Sequence, residues 1–106
     1  MKRGQIWWAK LSKPVGIRPV VLLSRDSAYD VRNAVTVATV TRRIRGIEVE
    51  VRLGRNEGMS TDCVVNLDDI ITIRKVLLDK QITTLSQDKM LEVDHAIIYA
   101  LDIKLK

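Results

Sequence analysis

Apolar and polar positions along most of this chain alternate with the period of two that marks strands. Gln5 to Leu11 predicts a strand that holds a tryptophan pair, Trp7-Trp8. Ser12-Lys13-Pro14-Val15-Gly16 is rich in turn formers and ends it. Arg18-Pro19-Val20-Val21-Leu22-Leu23 comes next. Proline holds the residue before it extended and has no amide hydrogen to lose, so it suits the start of a strand. The apolar run behind it predicts a buried strand over Arg18 to Leu23. Asp26 to Asn33 is polar and predicts irregular chain, whereas Ala34 to Val40 alternates Thr with Val or Ala and predicts a third strand. Arg42 to Gly46 is a basic loop. Beyond it Ile47, Val49 and Val51 alternate with Glu48 and Glu50, one face buried and the other wet. Gly54 to Ser60 predicts a loop, and Cys63 to Leu67 and Ile70 to Arg74 predict two more strands.

Near the C-terminus the period changes to that of a helix. Ser86 suits an N-cap and Asp88 the first turn, where negative charge meets the positive end of the helix dipole. Met90, Val93, Ile97 and Leu101 recur at helical spacing and form one apolar stripe. Strands first and helix last predict a mainly β fold with a C-terminal α-helix, a small barrel or curled sheet with the helix packed on it. No repeat or linker interrupts the pattern, so residues 1–106 predict a single domain.

Composition narrows the class. With 46% hydrophobic residues the chain can build a core, yet no stretch approaches a membrane span and no leader-like run opens it. A cytoplasmic location is expected. The single cysteine, Cys63, excludes an intrachain disulfide and a Cys-rich zinc site, and reads as a small buried hydrophobe. Charge is lopsided: residues 1–55 carry 12 Lys/Arg against 4 Asp/Glu, and residues 56–106 carry 6 against 9. A basic half joined to a mildly acidic one suits a polyanion-binding face, or simply an unevenly charged solvated surface.

Candidate chemistry centres on Arg18. A guanidinium held at the mouth of a rigid strand reads phosphate or carboxylate well; the alternative is a surface ion pair. Lys10 and Lys13 flank the first loop, and Arg42, Arg43 and Arg45 follow Thr41. These cations either meet backbone phosphates or stay solvated. In Trp7-Trp8 the rings point to opposite sides of the strand. One belongs in the core; the other either stacks on a base or packs at a contact between copies. His95 has no partner nucleophile and reads as a surface residue. Asp68-Asp69 is splayed by a strand and makes no metal site, so neither metal nor cofactor is expected.

The ordered set of motifs resembles the MazF/PemK-type toxins. Met1-Lys2-Arg3-Gly4-Gln5-Ile6-Trp7 is similar to that family's opening, and Arg18 to Ser24 to its Arg-Pro-Val strand. Val35 to Thr41 resembles its third strand, which ends in threonine. Asp62 to Ile70 resembles its Asp-Ser-Val-Val-Leu-Leu-Asp-Gln-Ile segment. Thr83 to Ser86 and Val93-Asp94-His95-Ala96 resemble the start and middle of its helix. The resemblance implies an SH3-like barrel, a homodimer, and a sequence-specific endoribonuclease that cuts single-stranded RNA without a metal. It also implies a cognate antitoxin, with which such toxins bind DNA. Carried over by position, Arg18 and Thr41 fall on the catalytic arginine and threonine. If the chain is such a barrel, Lys10, Lys13, Arg42 and Arg43 edge the Arg18 site as RNA-binding cations, and Asp69 lies on the RNA-contacting surface. The chemistry implied is attack by the RNA's 2′-hydroxyl on the adjacent phosphate. Three features depart from the pattern. Only Ile17 separates Gly16 from Arg18, Asp69 stands where glutamine is common, and Ile71 where arginine is common. Two other activities stay open: a toxin of the same barrel that acts on gyrase, and a catalytically silent nucleic-acid-binding barrel.

Overall fold

A computed structural model describes residues 1–105. Six strands form one antiparallel sheet: β1 (Gln5–Lys10), β2 (Ile17–Leu22), β3 (Ala34–Thr41), β4 (Glu50–Leu53), β5 (Cys63–Arg74) and β6 (Leu78–Thr84). Their order across the sheet is β4-β5-β3-β2-β1-β6. A short helix, α1 (Ala28–Val31), links β2 to β3, and the C-terminal helix α2 (Gln87–Ala100) closes the fold.

The sheet curls into a half-barrel because one face must wrap a single core. Ile6, Val21, Ala38, Val51 and Leu67 come from β1 to β5, yet they pack in one cluster with Val93 and Ala96 of α2. The Ser86 hydroxyl accepts from the Lys89 amide at 3.1 Å and caps α2 as the sequence predicts. The stripe ends sooner than predicted, for Leu101 lies 59% exposed at the helix terminus while Val93 is fully buried. Arg3 clamps α2 to the rest: its guanidinium reaches Asp94 at 2.6 Å and the Leu23 carbonyl at 3.0 Å. Two of the resembling motifs, from opposite ends of the chain, thus meet in one ion pair.

Several elements differ from expectation. Asp26 to Asn33 is not irregular throughout. It contains α1, which buries Ala28 and Tyr29. Tyr29 donates to the Ser24 carbonyl at 3.1 Å, and burial pushes its phenol up to about 12. The segment after Gly46 is extended only from Glu50, so Ile47 stays exposed while Val49 is buried. Leu78–Thr84 forms β6 and pairs with β1, although its sequence has no clean alternation. The two strands predicted over Cys63 to Arg74 are one long strand, broken in register. Ala38 pairs with Ile70 and Thr39 with Asn66, which leaves Leu67, Asp68 and Asp69 without partners on β3. Such a bulge re-aims the side chains within it.

Candidate nucleic-acid interface

Arg18 and Thr41 stand at the ends of neighbouring strands, on the side of the sheet away from α2. On β3 this face runs Val35, Val37, Thr39, Thr41. On β2 it runs Leu22, Val20, Arg18. Val20 pairs with Thr39, and the same register carried two residues outward sets Arg18 opposite Thr41. The strands therefore bring together two residues far apart in sequence. The Thr41 hydroxyl accepts from the Arg43 amide at 3.1 Å, which turns the basic loop back over the strand end and leaves the hydroxyl proton free to donate. Among the described residues no carboxylate lies within 4.0 Å of the Arg18 guanidinium, so its charge is available to a ligand.

Arg18, Thr41 and Arg43 stand on the ridge shared by two clefts. The larger, about 640 Å³, is lined by Trp8, Pro19, Arg42, Met59, Cys63 and Ile82 besides that ridge. Trp8 is 40% exposed there, whereas Trp7 is half-buried on the opposite side of β1 and donates its indole N–H to Gln5 at 3.0 Å. The two rings thus point to opposite sides of β1, as predicted, with Trp7 the more buried. Gly58 forms part of the wall with φ of +90°, and a Cβ there would stand 2.5 Å from Thr83 Oγ1. Only glycine lets the loop lie this close to β6. Cys63 is buried, as expected, with its thiol pushed up by burial and by the nearby Asp62 and Glu57 charges.

The smaller cleft, about 170 Å³, adds Thr39, Arg45, Glu50, Asn66 and Asp69 to the ridge. Glu50 accepts from the Arg45 amide at 3.0 Å and from the Gly46 amide at 2.9 Å, so its carboxylate clasps the basic loop. Thr39, only 4% exposed, donates to Asp69 at 2.6 Å. The sequence singles out Asp69 but not Thr39, because a threonine in an alternating strand carries no sign of which side it faces. Lys10 and Lys13 are the exceptions among the predicted site residues. Both are exposed and neither lines a cleft; Lys10 pairs with Ile17 at the end of β1, beside the site.

The family model for the PemK-like, MazF-like toxin of type II toxin–antitoxin systems matches residues 2–101. The chain belongs to that family. A MazF relative from Mycobacterium tuberculosis, named a probable endoribonuclease MazF2, is 40% identical over 93 residues, which cover 87% of this chain and 89% of the relative. The solved structure of the Mycobacterium tuberculosis toxin MazF-mt6 superposes with a TM-score of 0.88 and 31% identity, covering 95% of this chain and 99% of that one. A mycobacterial endoribonuclease solved with its cognate antitoxin shares the fold, at a TM-score of 0.87 and 23% identity, over 100% of this chain and 99% of that one. The half-barrel with its terminal helix is therefore the MazF barrel, as the motifs implied.

Proposed function

We propose that this MazF-like toxin is an endoribonuclease that cuts single-stranded RNA within the two clefts, at the ridge formed by Arg18 and Thr41. The observation that carries this reading is the unpaired Arg18 guanidinium set opposite the Thr41 hydroxyl, with Arg43 beside them. The RNA's own 2′-oxygen attacks phosphorus. A P–O2′ bond forms and the P–O5′ bond breaks, and one proton passes from the 2′-hydroxyl to the departing 5′-oxygen. The products are a 2′,3′-cyclic phosphate and a 5′-hydroxyl. Negative charge grows on the phosphoryl oxygens in this step, and fixed donors aimed at them lower the barrier. Arginine is a reluctant acid, so Arg18 acts by charge stabilisation and Thr41 by donating its hydroxyl. Arg42 and Arg43 hold flanking phosphates, and Trp8 stacks on a base.

Assembly and control follow from exposed surface. Leu91 is 55% and Tyr99 58% exposed on α2, apolar area suited to a second copy in a homodimer. An acidic segment of the antitoxin would compete with RNA for the cation-lined cleft. All of this takes place in the cytoplasm. Among the described residues no helix is long and apolar enough to cross a membrane.

The test is incubation of purified protein with single-stranded RNA in EDTA, followed by end-group analysis. Cyclic phosphate and 5′-hydroxyl ends are expected. Loss of cleavage in EDTA, or 5′-phosphate ends, would overturn the mechanism. Sedimentation at micromolar concentration tests assembly: a species at twice 12.0 kDa is expected, and a clean monomer would defeat it.

A further inference from the structure

The smaller cleft is unlike a phosphate site. Its lining holds the cations Arg18, Arg43 and Arg45, but also the Asp69 carboxylate and the Asn66 amide. A phosphate entering it would meet a like charge, whereas a neutral planar base would not. Of the two carboxylates here, Glu50 is taken up by loop amides, while Asp69 is held by a single donor, Thr39. A carboxylate has about four lone-pair positions, so Asp69 keeps most of its accepting capacity. Thr39 is nearly buried and rigid in β3, so its hydroxyl fixes the carboxylate's rotation. The bulge at Leu67–Asp69 is what aims Asp69 across to Thr39 at all.

The geometry points to Asp69 as a base-reading residue that selects guanine, with Thr39 as the residue that positions it. This deepens the RNA-cutting reading and rests on it. A fixed acceptor-only carboxylate rewards an edge with adjacent N–H donors. Guanine's Watson–Crick edge offers N1–H and the N2 amino group side by side, whereas adenine and cytosine offer one amino group and uracil one N3–H. Single-stranded RNA exposes these edges. The guanidinium planes of the lining arginines can stack on the same base.

The experiment uses a random pool of single-stranded 2′-O-methyl RNA, which has no free 2′-hydroxyl and is bound without being cut. The bound fraction is sequenced. Wild-type protein should enrich guanine at one position by about tenfold or more, the scale of one good paired base interaction. Asp69→Asn keeps the shape but replaces one acceptor oxygen by an amino donor, so it can no longer accept from two adjacent N–H groups, and should abolish that enrichment. Thr39→Val should weaken it, and Thr39→Ser should restore it. Circular dichroism checks that each variant is folded. No guanine enrichment by wild type, or equal enrichment by Asp69→Asn, overturns the proposal. Mapping cleavage sites on ordinary RNA separates the two readings. Cutting without a guanine preference sinks this inference alone. Guanine-selective binding without cutting sinks the cleavage reading and leaves base reading intact.

Discussion

On the side of the sheet facing α2, Ile6, Val21, Ala38, Val65 and Leu67 exclude water against Val93 and Ala96. On the far side the same strands are apolar for half their length, through Val20, Leu22, Val35, Val37 and Ile73, and are covered by Tyr29. Further along, each of three adjacent strands turns polar at about the same level: Arg18 on β2, Thr39 and Thr41 on β3, Asn66 and Asp69 on β5. The covered side holds the fold and tolerates any well-shaped apolar residue. The uncovered end holds groups that the fold does not need but a polyanion does. Substitutions should therefore separate cleanly into those that cost stability and those that cost activity.

The largest effect belongs to the covered side. Ile6 is 0% exposed, in the centre of the cluster under α2. Ile6→Ala should lower unfolding free energy by about 2–5 kcal/mol through lost burial and the cavity left behind. Cleavage per folded molecule should stay the same. A change well under 1 kcal/mol in urea unfolding would show that this side packs loosely.

Arg18→Ala should do the reverse. It removes a half-buried cation that has no carboxylate partner among the described residues, so the melting temperature should barely move. Cleavage should fall by about a hundredfold or more, the usual effect of losing one preorganised donor to a developing oxyanion. Thr41→Val, close in shape, should cut the rate with equally little effect on stability. A variant of Arg18 with full activity would remove the ridge from the chemistry.

This division was partly legible in the sequence. Pro19 behind Arg18 fixed the extended start of β2, and the ordered motifs carried Arg18 and Thr41 to one site. Periodicity also found β3, the cap at Ser86 and the inward face of α2. It failed where tertiary pairing overrides local pattern. Leu78–Thr84 is a strand because β1 offers an open edge, which its own residues do not announce. The bulge at Leu67–Asp69 is invisible to an alternation count, because losing register looks like two strands with a gap. Thr39 became identifiable only once that bulge brought Asp69 to it. Lys10 and Lys13 lie outside both clefts, because nearness in sequence to Arg18 does not turn a side chain into them.

A smaller effect tests how far the uncovered end extends. Arg42 and Arg43 line the larger cleft and are exposed. Replacing both by Glu should weaken RNA binding and flatten its dependence on log salt by roughly one unit for each phosphate no longer neutralised. Lys13→Glu, outside both clefts, should leave the slope near its original value. An equal change from Lys13 would show that RNA runs past the first loop as well.

The smallest effect lies at the covered end of the outer face, where Tyr29 closes the apolar patch. Burial is the main cause of its raised phenol pKa, about 12 against an ordinary 10.0, and the Asp26 charge adds to it. The sign follows from linkage. The unfolded chain releases this proton near pH 10 while the folded chain still holds it. Stability from this group is complete below that point and drains away as pH rises toward 12. Tyr29→Phe also loses the bond to the Ser24 carbonyl, so it should be somewhat less stable at neutral pH. Its unfolding free energy should nevertheless fall less steeply over that alkaline range, where other groups titrate alike in both proteins. Parallel alkaline slopes in urea titrations would mean that the Tyr29 hydroxyl reaches water, and that the outer face is open along its whole length rather than only at Arg18.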